Sequence, residues 1–139
     1  MTISAQVLVG GRNEGETLAL DEPLSFSGGL DSATGRITDR WHPQYGAVVS
    51  GKVLVMRAGR GSSSGSAVLA EALRRGTGPA AILLSERDGI VAAGAIVASR
   101  LYGVSCPVFL VSPDDRFIAA NSIRLRLSTD RDAALVETA

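Results

Sequence analysis

Residues that hold metals or carry redox chemistry are nearly missing from this sequence: Cys106 is its single cysteine and His42 its single histidine. An internal disulfide is excluded, and a Cys-rich zinc or iron-sulfur site would need ligands from another chain. Charge of one sign is not in excess either, with 14 acidic residues against 14 basic ones, which argues against a polyanion-binding surface and so against nucleic acid as a partner. No apolar run approaches the ~18 residues of a membrane span, and the opening MTISAQVLVGG has no basic region, so the expectation is a soluble cytoplasmic protein with no membrane association.

Hydrophobic residues are present in quantity, 45% of 139, which suits one core and predicts a single domain over residues 1–139. Residues 3–9, ISAQVLV, alternate apolar with polar before a GGRNEG turn, and TLAL resumes the pattern, predicting an early hairpin or meander. Residues 23–46 carry four glycines and two prolines without a period, which predicts a long loop with at most a short strand. Phe26, Trp41 and Tyr45 lie in it, and rings gain from burial, so the loop is expected to be packed.

Beyond it the pattern becomes strand, helix, strand, helix, strand: VVSGKVLVM, SAVLAEALRRG, AAILLS, GIVAAGAIVASRLYG, CPVFLVS. That alternation predicts an α/β fold with crossovers between parallel strands. In the first helix Val68, Leu69, Ala72 and Leu73 share a face, with Gly76 placed as its C-terminal cap. The second helix is apolar nearly all round, which suits deep burial or docking on a partner. SIRLRLS at 122–128 alternates strictly, as a half-buried strand does, with Ile123, Leu125 and Leu127 on one side, and the last ten residues read as a loosely held tail.

Between the first of these strands and its helix lies GRGSSSGS, residues 59–66. Backbone N–H groups converge at such a helix start with the positive end of the helix dipole behind them, a setting for an anion and so, as one alternative, for a non-catalytic module that captures a small anion and signals to a partner protein. A single capping serine would be ordinary, but three in succession are more than a cap needs. The Gly-Lys-Ser/Thr ending of a nucleotide-binding P-loop is absent. GSSSG fits G-x-S-x-G with Ser63 as a nucleophile, yet His42 precedes it and the chain is about half the size usual for such a hydrolase. A serine acting as general base is a further reading, given helix N–H groups and a cation such as Arg60 to stabilise its alkoxide.

Three segments, residues 25–46, 51–66 and 78–108, together resemble the small, swivelling domain of the aconitase X family, in the same order and over most of the chain. The resemblance implies a β-rich swivelling β/β/α domain that closes over a large catalytic subunit. That partner would hold an iron-sulfur cluster, none being bound by this chain. It further implies dehydration of a small hydroxy-carboxylate, either cis-3-hydroxy-L-proline or mevalonate 5-phosphate, and the arginine-rich, lysine-poor composition favours the bacterial, proline-type substrate. By motif position Ser62 would be the base, with Gly61, Ser63 and Ser64 holding the carboxylate or orienting Ser62. Gly28, Gly29 and Asp31 resemble a family GG-x-D segment and His42 with Pro43 its His-Pro segment, which would put Gly29, Asp31 and His42 near the cleft. Arg60 as a plain surface arginine and His42 as a loop anchor are equally open readings. Ser27 and Ser32 depart from the family pattern, where tryptophan and proline are common.

Overall fold

A computed structural model describes residues 1–131 and 133–139. In chain order the elements are β1 (Thr2–Val9), β2 (Arg12–Ala19), the single turn α1 (Phe26–Gly29), β3 (Leu30–Asp31), β4 (Arg36–Ile37), β5 (Val53–Val55), α2 (Ser64–Arg75), β6 (Ala81–Leu84), α3 (Gly89–Tyr102), β7 (Val108–Leu110), α4 (Pro113–Ala120), β8 (Arg124–Asp130) and β9 (Ala133–Thr138). The fold is α/β and rich in β structure: seven strands close a barrel in the order β1-β7-β6-β5-β2-β8-β9, and β3 and β4 form a separate two-stranded sheet. Neighbours β2, β5, β6 and β7 run parallel, while the contacts of β1, β8 and β9 are antiparallel.

The period of two explains how the short central strands serve two cores. Val53, Val55, Ala81, Leu83 and Phe109 point into the barrel, where they meet Leu125, Leu127 and Val136. Their alternates Leu54, Ile82, Leu84 and Val108 point outward, beneath α2 and α3. Buried on both faces, β5 and β6 read as continuous apolar runs, as parallel strands under helices do. The two helices pack closely at Gly94, where a Cβ would lie 2.8 Å from the Ser66 carbonyl oxygen and 3.1 Å from Leu69 Cβ. Gly76 ends α2 in the left-handed region, φ 79°, where glycine carries no steric penalty.

Several expectations need correction. The early hairpin does not form: β1 pairs with β7 and β9, and β2 with β5 and β8. The hairpin is β8–β9, inserted between them, and Gly11 of the β1–β2 turn is tied to Thr129 of β8 through its N–H to Oγ1 at 3.0 Å. The expected loose tail contains β9, with Ala134 and Val136 buried in the barrel; residue 132, within the same stretch, lies outside the described residues. Ile123, assigned to the inward row, precedes β8 and is 87% exposed. Of the three loop aromatics only Phe26 is buried, while Trp41 is 92% exposed, so the loop's packing rests on Phe26, Leu24, Leu30 and Ile37 instead. Helix α3 is neither fully buried nor fully exposed: Val91, Ala95 and Ala98 face the core, and Ile96, Val97 and Leu101 face outward.

Helix α4 was not anticipated, although its start is written in SPDD. Ser112 accepts from the Asp115 N–H at 3.1 Å, Pro113 occupies the first turn, and Asp114 and Asp115 face the positive end of the dipole.

If β9 closes the barrel, Val136→Asp should place an unpaired carboxylate in its interior and remove several kcal/mol of stability, whereas Thr138→Asp, exposed on the same strand, should not. Urea denaturation followed by far-UV circular dichroism reads both; equal midpoints for the two variants would contradict the closure.

Candidate functional site

Parallel strands β5 and β6 lie side by side, and the loops that leave their carboxyl ends lead directly into α2 and α3. In α/β sheets that rim is where ligands bind, because the loops and helix starts converge there. One carboxylate joins the two loops. Asp88 caps α3, its Oδ1 accepting from the Ile90 and Val91 N–H groups at 3.0 and 3.1 Å, while its Oδ2 accepts from the Gly59 N–H at 2.9 Å.

A third segment is fastened to the same place. Leu24 bridges Gly59 in parallel, and the Arg60 N–H donates to the Leu24 carbonyl at 3.1 Å, which brings residues 24–27 against the serine loop. The approach requires glycine at 61, where φ is +101° and a Cβ would stand 2.5 Å from Ser25 Oγ. The hydroxyls meet across this contact: Ser62 Oγ bonds Ser64 Oγ, and Ser64 Oγ donates to Ser27 Oγ at 2.9 Å. Ser25 Oγ in turn donates to the Ser27 carbonyl at 2.8 Å.

The serines do not cap the helix with their side chains. Ser63 occupies the N-cap of α2 but has helical dihedrals, φ −59° and ψ −18°, and its side chain accepts no capping bond. Instead the carbonyls of Ser62 and Ser63 accept from the Gly65 and Ser66 N–H groups at 3.0 and 3.2 Å. Ser62, Ser63 and Ser64 are all exposed on this rim. Beside them a small pocket of about 80 Å³ is lined by Phe26, Gly59, Arg60, Gly61, Gly65 and Asp88. That is room for two or three waters, well below the several hundred Å³ of a pocket that encloses a small ligand by itself.

The other predicted residues are placed as follows. Arg60 is half exposed and its guanidinium meets Asp39 at 3.4 Å, so it lies on the rim with its charge partly matched. Gly29 is buried behind Leu24 and Asp39, and its carbonyl accepts from the Thr38 N–H. Asp31 forms the β3–β4 turn, its Oδ1 accepting from the Ala33 N–H at 2.8 Å. His42 is 3% exposed. Its Nε2 bonds the Glu22 carbonyl and its Nδ1 accepts from the Gln44 N–H, both at 3.0 Å, which fixes it as a neutral imidazole anchoring the loop. With both nitrogens engaged there, it is not brought to the serines, and a Ser63–His42 hydrolase pair has no geometric basis.

Ser25, Asp39 and Asp88 were not singled out from the sequence, and Ser27 was noted there as a departure from the family pattern and not as a site residue. Asp88 was readable, since an Asp immediately before Gly89 and an apolar run is a helix start. The others belong to a contact between segments far apart in the chain, which leaves no local signal.

Among the described residues no three His, Cys, Asp or Glu side chains converge as a metal site. Cys106 is buried, and burial pushes its thiol pKa up to about 12. A neutral thiol in the core cannot serve as a cluster ligand, so the residues of this chain do not fit an iron-sulfur cluster. No helix among the described residues is long and apolar enough to cross a membrane.

A mixed parallel and antiparallel barrel with helices on its outside and an exposed serine loop at the carboxyl ends of its parallel strands defines the class of domain. The family of such domains is the aconitase X swivel domain, whose model matches residues 2–137, and this chain belongs to it. It is 43% identical over 135 residues to the cis-3-hydroxy-L-proline dehydratase of Pseudomonas aeruginosa, a match covering 94% of this chain and 23% of that protein. It is 42% identical over 98 residues to the phosphomevalonate dehydratase small subunit of Methanothermobacter thermautotrophicus, covering 70% of this chain and 75% of that one. The chain thus spans about a quarter of the length of the Pseudomonas protein. Among solved structures, aconitase X of Thermococcus kodakaraensis in its holo form superposes with a TM-score of 0.81 at 29% identity, covering 99% of this chain and 98% of that one.

Two outcomes are expected at this stage. Asp88→Ala should cost about 1–2 kcal/mol by removing the α3 cap and the tether to Gly59, read as a lower urea midpoint, while Asp88→Asn, which keeps an oxygen for the cap and loses the tether, should cost less. Cys106 should resist a disulfide reagent at pH 8 in the native protein and react fully in guanidinium; rapid native labelling would contradict its burial.

Proposed function

We propose that this chain is the swivelling subunit of an aconitase X-type hydro-lyase that removes water from a small hydroxy-carboxylate, cis-3-hydroxy-L-proline, together with a large partner subunit. The observation that carries this reading is the exposed Ser62 on the rim above β5 and β6, beside the uncapped start of α2. The Pseudomonas relative, aligned over 94% of the chain, supports the substrate. Mevalonate 5-phosphate is the second reading, supported by the 42% identity to the small subunit from Methanothermobacter.

In this reading Ser62 takes the proton from the carbon beside the substrate carboxyl, the hydroxyl leaves the neighbouring carbon, and a carbon–carbon double bond forms between them. A serine hydroxyl ordinarily ionises far above neutral pH, so its alkoxide needs donors that do not have to reorganise. The Ser64 hydroxyl is one, and the first-turn N–H groups of α2 with the dipole behind them add positive potential. Gly61 and Ser63 would hold the substrate carboxylate, and Arg60 would add charge from the rim. Gly29, Asp31 and His42 contribute by holding the loop that carries Ser25 and Ser27. The iron-sulfur cluster, held by the partner and not by this chain, would supply the Lewis acid for the departing hydroxyl.

Co-expression with the large subunit should give a complex that dehydrates cis-3-hydroxy-L-proline, and Ser62→Ala should lower kcat by at least about 10²-fold, the scale of general-base loss. Activity on mevalonate 5-phosphate alone would select the second reading, and full activity of the Ser62→Ala complex would rule out Ser62 as the base.

A further inference from the structure

We infer that Ser27 is a positioning residue for the Ser62 base, acting on it through Ser64; this rests on the dehydratase reading above. Three hydroxyls from two segments form one chain, Ser62 to Ser64 to Ser27, although Ser27 lies 37 positions from Ser64. The placement is fixed by backbone, through the Leu24–Gly59 bridge and the Arg60 N–H on the Leu24 carbonyl. Ser27 itself departs from helical dihedrals within α1, at φ −74° and ψ 113°, and Ser25 holds its carbonyl.

The direction of the bonds has a chemical consequence. Each serine has one proton to donate, and Ser64 gives its own to Ser27, so in the neutral chain Ser62 is the donor to Ser64. When Ser62 loses its proton the chain reverses. Ser64 turns its O–H toward the Ser62 alkoxide, and Ser27 turns its O–H toward the lone pair that Ser64 has exposed. Two hydroxyl rotations do this, with no bond to carbon made or broken and no proton leaving the pair Ser64 and Ser27. The alkoxide gains a donor that is itself hydrogen-bonded, and such chains polarise one another. Ser27 touches no reacting atom in this scheme; it sets how easily Ser62 gives up its proton.

The test uses the complex with its large subunit, assayed with cis-3-hydroxy-L-proline as a function of pH. Ser27→Ala should lower kcat about fivefold with KM unchanged, the worth of one hydrogen bond between neutral groups. The ascending limb of its kcat profile, where the base loses its proton, should move to higher pH, and Ser27→Thr, which keeps the hydroxyl, should restore both. A role in loop structure alone would move the urea midpoint or KM and leave the pH profile in place, which overturns the inference. So does a Ser27→Ala complex with wild-type kcat and pH profile while Ser62→Ala is inactive. Full activity of Ser62→Ala overturns the general-base reading itself, and the inference with it.

Discussion

The candidate site depends on one carboxylate. Asp88 gives one oxygen to the start of α3 and the other to the Gly59 N–H, and so joins the loops that follow β5 and β6. The same two loops are also joined by the Ser85 and Glu86 N–H groups on the Arg57 carbonyl, at 3.1 and 3.0 Å, and the Asp88 bond is the one that reaches Gly59 itself, at its bridge to Leu24. The meeting of Ser27 with Ser64 therefore begins with a helix cap two loops away. The geometry is that of a small polar network at a low-contact rim, where each bond sets the next.

The rim is also incomplete by design of the fold. Its pocket is too small to enclose a hydroxy acid, its arginine is already matched by Asp39, and its serines stand in the open. In the proposed dehydration such a surface would gain catalytic power when water is excluded and charge is supplied from the other side. Membership of the aconitase X swivel family agrees with that half-site character. The lone cysteine, buried as a neutral thiol, agrees with it too.

Much of this was legible in the sequence where the signal is local. The crossovers of β5, β6 and β7, the glycine end of α2 and the serine loop each sit within a single period or turn, and they appear close to where the pattern puts them. Non-local pairing was not legible. TLAL and ISAQVLV read as partners because they are neighbours in the chain, yet β8 and β9 stand between them. The alternation of Ala134 and Val136 was too short to show against a stretch that otherwise resembles a tail. Ser27 escaped for the same reason, because its partner is set by the Leu24–Gly59 contact and not by spacing. His42 shows the converse: a histidine beside a predicted site drew attention, and its ring proved to be fully used by the loop backbone.

The ring of seven strands is sealed by β1 against β9, its first strand against its last. Of all pairings in the barrel this one closes the longest loop of chain, and the entropy of that closure is recovered only once both strands are in register. The middle of the chain, with β5, β6 and the serine rim, is built from much shorter-range contacts. The seam and the site thus sit at opposite ends of the scale of contact order, so that closing the ring and shaping the serine rim draw on different parts of the chain.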